Sequence, residues 1–247
     1  MNQAIIGKTI LITGANRGIG RTFVNVFLQH GAAKVYAAVR SLESAASLVQ
    51  EHGEQVAVLR LDLKDPTSIQ EAARQAADVD IVINNGGILH SATPVDEDAI
   101  DAIQEELDVN LLGLLRMAQA FAPVLKENGG GHFAQLNSVV SMKAFSNFAT
   151  YSASKAAAYS ITQSLRDVLA GQGTQVISVH PGPILTDMGG AAGLTEIAEP
   201  PELVAEALIE AIASGTFHVF PDSMARQIGG AYQSFAENVV EADMSEG

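Results

Sequence analysis

"KTILITGANRGIG", residues 8–20, runs from a short apolar strand through a glycine-rich turn into the start of a helix. The apolar character of residues 8–13 is nearly continuous rather than alternating, as expected of a strand covered on both faces. The turn that follows contains Gly14, Gly18 and Gly20. Glycine at such a junction permits a tight reversal, lets backbone N–H groups approach an anion, and allows close packing of helix on strand. The helix N-terminus adds partial positive charge, so the whole device suits a pyrophosphate. An ordinary βα turn is the competing reading of the glycines alone. Their position after the first strand and before a helix favours dinucleotide binding.

The same unit recurs downstream. Residues 34–39, 55–63, 79–85, 132–139, 175–182 and 218–222 read as further buried strands, each short and bounded by turn residues. Segments 17–30, 98–126 and 152–170 have the length and apolar spacing of helices. This alternation predicts an α/β fold: a single-domain, doubly wound parallel β-sheet with helices on both faces. In such sheets ligands bind beyond the carboxyl ends of the strands, where strand order reverses. No internal repeat, linker or compositional break divides the chain, so residues 1–247 are expected to form one domain. Residues 223–247 read as a partly helical C-terminal appendage, ending in the acidic, frayed "EADMSEG".

Composition narrows the function. With 47% hydrophobic and 17% charged residues, the 247-residue chain has a globular composition. It lacks cysteine, which excludes disulfides and thiolate metal sites. Its six histidines show no metal-ligand spacing, so no metal is expected. A formal net charge of -14 opposes binding to nucleic acid. No stretch is long and apolar enough to span a membrane, and the first residues do not resemble a signal peptide. The expectation is a cytoplasmic protein without a membrane partner.

About 20 residues beyond the glycines, a dinucleotide site distinguishes a free ribose 2′-hydroxyl, held by an acid, from a 2′-phosphate, held by arginine. The second strand here ends "YAAVRS", which puts Arg40 at its tip with no acid adjacent. Arg17, inside the glycine turn, can reach the same phosphate. Guanidinium groups match phosphate oxygens in paired, charge-assisted bonds, so the expected cofactor is NADP(H).

Taken with "NNGG" at 84–87, "NSV" at 137–139, "YSASK" at 151–155 and "PGPILT" at 181–186, the sequence resembles the short-chain dehydrogenase/reductase family. The motifs occur in family order and cover about residues 7–222. The resemblance implies a Rossmann fold with Tyr151 as general acid/base and Lys155 on the nicotinamide ribose, favouring the phenolate. Ser138 would bind the substrate oxygen, and Asn110 in "LDVNLLG" would position a water leading from Lys155. It further implies cofactor contacts from Gly14, Asn16, Arg17, Gly18, Ile19, Gly20 and Arg40. Asp62 and Leu63 would hold the adenine, Asn84 would support the strand ends and the ribose, and Pro181, Gly182 and Thr186 would lie near the carboxamide and phosphates. One departure is Gly86, where the family usually has alanine, and it suggests a looser backbone.

Elementary chemistry points the same way. Tyr151 and Lys155 are four residues apart and share a helix face. A free tyrosine has a pKa of about 10, a nearby cation lowers it, and acid catalysis works best near the operating pH. Phe145 and Phe148 are candidates to line a substrate pocket, and residues 188–201, rich in small side chains, are a candidate lid. The lid has no basic cluster, which favours a small, neutral ketone or aldehyde, or the corresponding secondary alcohol, as substrate. A 3-oxoacyl-thioester reductase and a non-enzymatic NADP(H)-binding redox sensor are the alternatives. Family resemblance also implies a homodimer or homotetramer.

Overall fold

The structure, a computed structural model, describes residues 3–242. Its strands are β1 (Thr9–Thr13), β2 (Lys34–Val39), β3 (Val56–Arg60), β4 (Ile81–Asn84), β5 (Gly131–Leu136), β6 (Thr174–Val179) and β7 (His218–Val219). They form one parallel sheet in the order β3-β2-β1-β4-β5-β6-β7. The order reverses between β1 and β4, whose registers pair Ile10 with Ile81 and Ile12 with Ile83. Helices connect the strands: α1 (Gly18–Gln29), α2 (Ala46–His52), α3 (Pro66–Gln75), α4 (Ala99–Glu106), α5 (Gly113–Glu127), α6 (Ala149–Ala170), α7 (Asp187–Ala191), α8 (Glu202–Ser214) and α9 (Ser223–Phe235).

Strand side chains alternate between two cores. Ile10, Ile12, Val35, Ile81 and Ile177 face one side, packed with Phe23 and Phe27 of α1 and Leu208 of α8. Leu11, Tyr36, Val82, Phe133 and Val176 face the other, against Ile69 of α3, Phe121 of α5 and Ala158 of α6. Because both faces are covered, the strands read as continuous apolar runs, which is the doubly wound α/β fold expected from the sequence. Each fully buried aliphatic side chain contributes about 1.5–3 kcal/mol relative to exposure. Among the described residues no helix is long and apolar enough to cross a membrane.

Several boundaries differ from the expectation for physical reasons. β7 stops at Val219 instead of reaching residue 222, because Pro221 lacks a donor and Asp222 turns to cap α9 through Ala225 N–H. β3 ends at Arg60, although Leu61 still bonds to Val39. The helix expected over 98–126 is interrupted by a π-helical segment, Leu107–Leu112, centred near Asn110. α6 begins at Ala149, so Tyr151 lies in its first turn. The tail is more integrated than an appendage: α9 continues as a π turn, Ala236–Val240, and Tyr232 meets Tyr159 hydroxyl to hydroxyl at 3.2 Å. Glu241 pairs with His218 at 2.7 Å. The rest of the acidic end, residues 243–247, lies outside the described residues.

Candidate active site

A cavity of about 910 Å³ opens over the carboxyl ends of β1 and β4, at the reversal of strand order. The glycine turn forms one wall. Gly14 has φ +65° and Gly18 φ +50°, a region that side chains disfavour. A Cβ on Gly20 would lie 2.1 Å from the Gly14 carbonyl oxygen, so only glycine allows this helix start. Arg17 is the N-cap of α1 and no side chain caps the helix there, so its first N–H groups have no side-chain acceptor. Arg17 and Arg40 are both exposed and both line the cavity, as do Ser41, Ser44 and Lys64. Arg17 also stands 3.9 Å from Asp187, an exposed and weak pairing. A cradle that a Cβ would fill, an uncapped helix start and two guanidinium groups fit a phosphorylated dinucleotide.

Across the cavity, α6 and the end of β5 bring Tyr151, Lys155 and Ser138 to one surface. Ser138 is extended, its hydroxyl donating to the Pro181 carbonyl at 3.2 Å and accepting from Val140 N–H at 3.3 Å. Lys155 is buried, its ammonium donating to the Leu136 carbonyl at 2.7 Å and standing 5.8 Å from the centroid of the Tyr151 ring. Burial lowers the Lys155 pKa to about 8. Burial also raises the Tyr151 pKa well above the ordinary phenol value, helped by the negative charge of Glu106, while the nearby Ser138 hydroxyl pulls the other way. Desolvation dominates both groups, and Lys155, whose ammonium is bonded to a backbone carbonyl, is not among the causes of the Tyr151 shift.

Asn110 and Asn84 do not line the cavity. Asn110 lies behind it, accepting from Ile88 N–H at 3.0 Å and donating to the Ile88 carbonyl and the Ser154 hydroxyl, each at 2.9 Å. The π segment turns this side chain toward the loop, a use to which such segments are often put near functional sites. Asn84 is buried between strand ends, accepting from Thr13 and donating to Gln135. Gly14, Asn16, Gly18, Ile19, Gly20, Asp62, Leu63, Pro181, Gly182 and Thr186 all line the cavity. At Gly86 a Cβ would lie 3.0 Å from Leu63 Cδ1, so an alanine there would press on that leucine.

The segment after β6 covers the cavity. Met188, Leu194 and Ile197 line it, with Phe145 and Phe148 opposite. Its neck is tied by Leu185 N–H to the Glu199 carbonyl and Glu199 N–H to the Pro183 carbonyl. Sequence reasoning missed the tail's share: Met224 of α9 lines the cavity, and buried Asp222 accepts from Gly182 N–H at 2.6 Å. It also missed Lys64, although a cation directly after "LDL" in so acidic a chain was a usable signal. His180 is buried, bonded to Ser178 and Ser141, and held uncharged by burial at a pKa of about 3.

Comparison with known proteins agrees with this geometry. Residues 8–196 match the short chain dehydrogenase family. A 1-deoxy-11-beta-hydroxypentalenate dehydrogenase of Streptomyces exfoliatus is 34% identical over 236 residues, covering 89% of this chain and 84% of that one. A short chain dehydrogenase from Burkholderia cenocepacia, solved in complex with NADP, superposes with TM-score 0.86 at 31% identity, over 96% of this chain and 99% of its own. Another, from Sphingobium yanoikuyae with NADPH, gives TM-score 0.78 at 28% identity over 96% and 98%. The sheet order, the cavity at its switch point and these matches together make the chain a member of the short-chain dehydrogenase family of oxidoreductases.

Proposed function

We propose that the protein reduces an uncharged ketone or aldehyde with NADPH and, in reverse, oxidises the corresponding secondary alcohol. The observation that carries this reading is the convergence of Tyr151, Ser138 and Lys155 on one cavity wall, opposite the glycine turn. When bound, the cofactor supplies the hydride. Arg17 and Arg40 would hold its 2′-phosphate, and the start of α1 its pyrophosphate. NADP in the Burkholderia relative and NADPH in the Sphingobium relative support that choice.

Tyr151 donates its phenolic proton to the carbonyl oxygen as that oxygen gains charge, and it takes the proton back in alcohol oxidation. A phenol whose pKa is raised stays protonated at neutral pH, which suits the reductive direction. Ser138 orients the same oxygen with a hydrogen bond. Lys155 holds positive charge beside the phenol, so a phenolate left after proton transfer is stabilised. Asn110 fixes the loop through Ile88 and the helix through Ser154, keeping the two walls in register. Phe145, Phe148, Leu194 and Met224 surround the substrate end with apolar surface, which favours an uncharged substrate over an acidic one.

The test is NADPH oxidation with acetophenone, cyclohexanone, hexanal, ethyl acetoacetate and acetoacetyl-CoA, each repeated with NADH. Expected is NADPH-dependent turnover of the simple ketones or aldehydes, and Arg40→Asp should weaken NADPH binding at least tenfold more than NADH binding. Turnover confined to the thioester would shift the reading to 3-oxoacyl-thioester reduction. Equal losses for the two cofactors would remove Arg40 from the phosphate site.

A further inference from the structure

Glu106 ends α4, four residues before Asn110, and is completely buried. A buried carboxyl is uncommon unless paired, and this one is only half satisfied. Its Oε1 accepts from His90 N–H at 2.7 Å. Its Oε2 has no hydrogen-bond partner among the described residues, and neither does the buried hydroxyl of Thr150, the residue before Tyr151. The Thr150 hydroxyl is nonetheless close enough to lower the carboxyl's pKa, as is the His90 ring, while Glu105 raises it. Burial outweighs these neighbours and holds Glu106 above the usual carboxylate range.

Glu106 and Asn110 grip the same loop. Asn110 takes Ile88 by both its N–H and its carbonyl, and Glu106 takes His90 N–H two residues on. Ile88 and Leu89, which these bonds bracket, line the cavity. A glutamine would make the His90 bond equally well without burying a charge, so retention of the acid has a cost that packing does not require.

We infer that Glu106 is a positioning residue for the reaction, holding the 88–90 loop through His90 N–H and setting a negative charge beside Thr150 and Tyr151 at the first turn of α6. The inference rests on the reading of Tyr151 as proton donor. It gives α4 a part in tuning that donor, distinct from the part played by Lys155.

Glu106→Gln tests it, because the amide keeps an acceptor for His90 and offers Thr150 a donor. Two readouts are expected to move. A carboxyl whose folded pKa is raised costs stability above its unfolded value, so the variant should melt about 2–4 °C above the parent at pH 8. That gap should close at pH 4, where the parent's carboxyl is protonated; this comparison needs no substrate. In NADP+-dependent oxidation of 1-phenylethanol, the acid limb of the pH profile should move at least 0.5 unit lower, about threefold in the ionisation constant. NADPH binding, followed by fluorescence, should stay within about twofold. A variant that melts lower than the parent at pH 8, or does not fold, would make Glu106 a structural bond and overturn the inference. An unchanged acid limb would overturn it too. Tyr151→Phe, run alongside, separates the causes: if it stays active, the reading of Tyr151 fails, and if it is dead while Glu106→Gln keeps the parental profile, only the role of Glu106 fails.

Discussion

Lys155 donates to the Leu136 carbonyl, and burial lowers its pKa to about 8. On the proposed mechanism its ammonium is the form that acts, present below that pH and lost above it. The sign follows directly: kcat/KM for NADPH-dependent ketone reduction should be level from pH 6 to about 8, then fall by up to about tenfold per unit. A profile flat to pH 10 would contradict a working role for the Lys155 charge. The identity and spacing of Tyr151 and Lys155 were legible in "YSASK", because four residues make about one helical turn. Their electrostatics were not. Desolvation is set by what packs around a group, and nothing within those five letters says that the ammonium would turn to a strand-end carbonyl. Glu106 was hidden for the same reason, since a glutamate in an acidic helix ordinarily reads as surface.

Elements meet at the site through backbone contacts that tolerate little change. Gly182 shows this: a Cβ there would lie 2.5 Å from Asp222 Oδ1, and that carboxylate already accepts from Gly182 N–H and from Ala225 N–H at the start of α9. Gly182→Ala should displace the cap, costing about 1–2 kcal/mol, lowering the melting temperature by about 2–8 °C, and exposing the tail to proteolysis. Gly171→Ala, where nothing lies within 4 Å of the added Cβ, should change stability by less than about 0.5 kcal/mol. Equal stability of the two variants would show that the tail is not anchored through Gly182. Strands and the helices that cover them were readable because continuous apolar runs and helical spacing encode burial locally. The π segment at Leu107–Leu112 and the docking of α9 were not readable, because both depend on contacts between residues distant in sequence.

For the molecule as a whole, charge is distributed unevenly. In a chain with a net charge of -14, Arg17, Arg40, Lys64 and Lys155 line one cavity together with Asp62, Glu105 and Asp187, a slight positive excess where the rest of the chain is strongly acidic. The sheet sets the same cavity at the reversal of strand order, with the glycine turn on one wall and the tyrosine helix on the other. The fold and the cavity's place were legible because the motif order fixes which strand ends converge. The substrate was not, because the proposed pocket is lined by Phe145, Leu194 and Met224, side chains scattered over three segments. The most direct measurement is NADPH oxidation by purified Tyr151→Phe and parent protein against the same carbonyl panel, with NADPH affinity determined for both. If Tyr151 supplies the proton, turnover falls by about 10²–10⁴-fold while NADPH affinity is retained. Turnover within a few-fold of the parent would contradict a tyrosine-centred reductase.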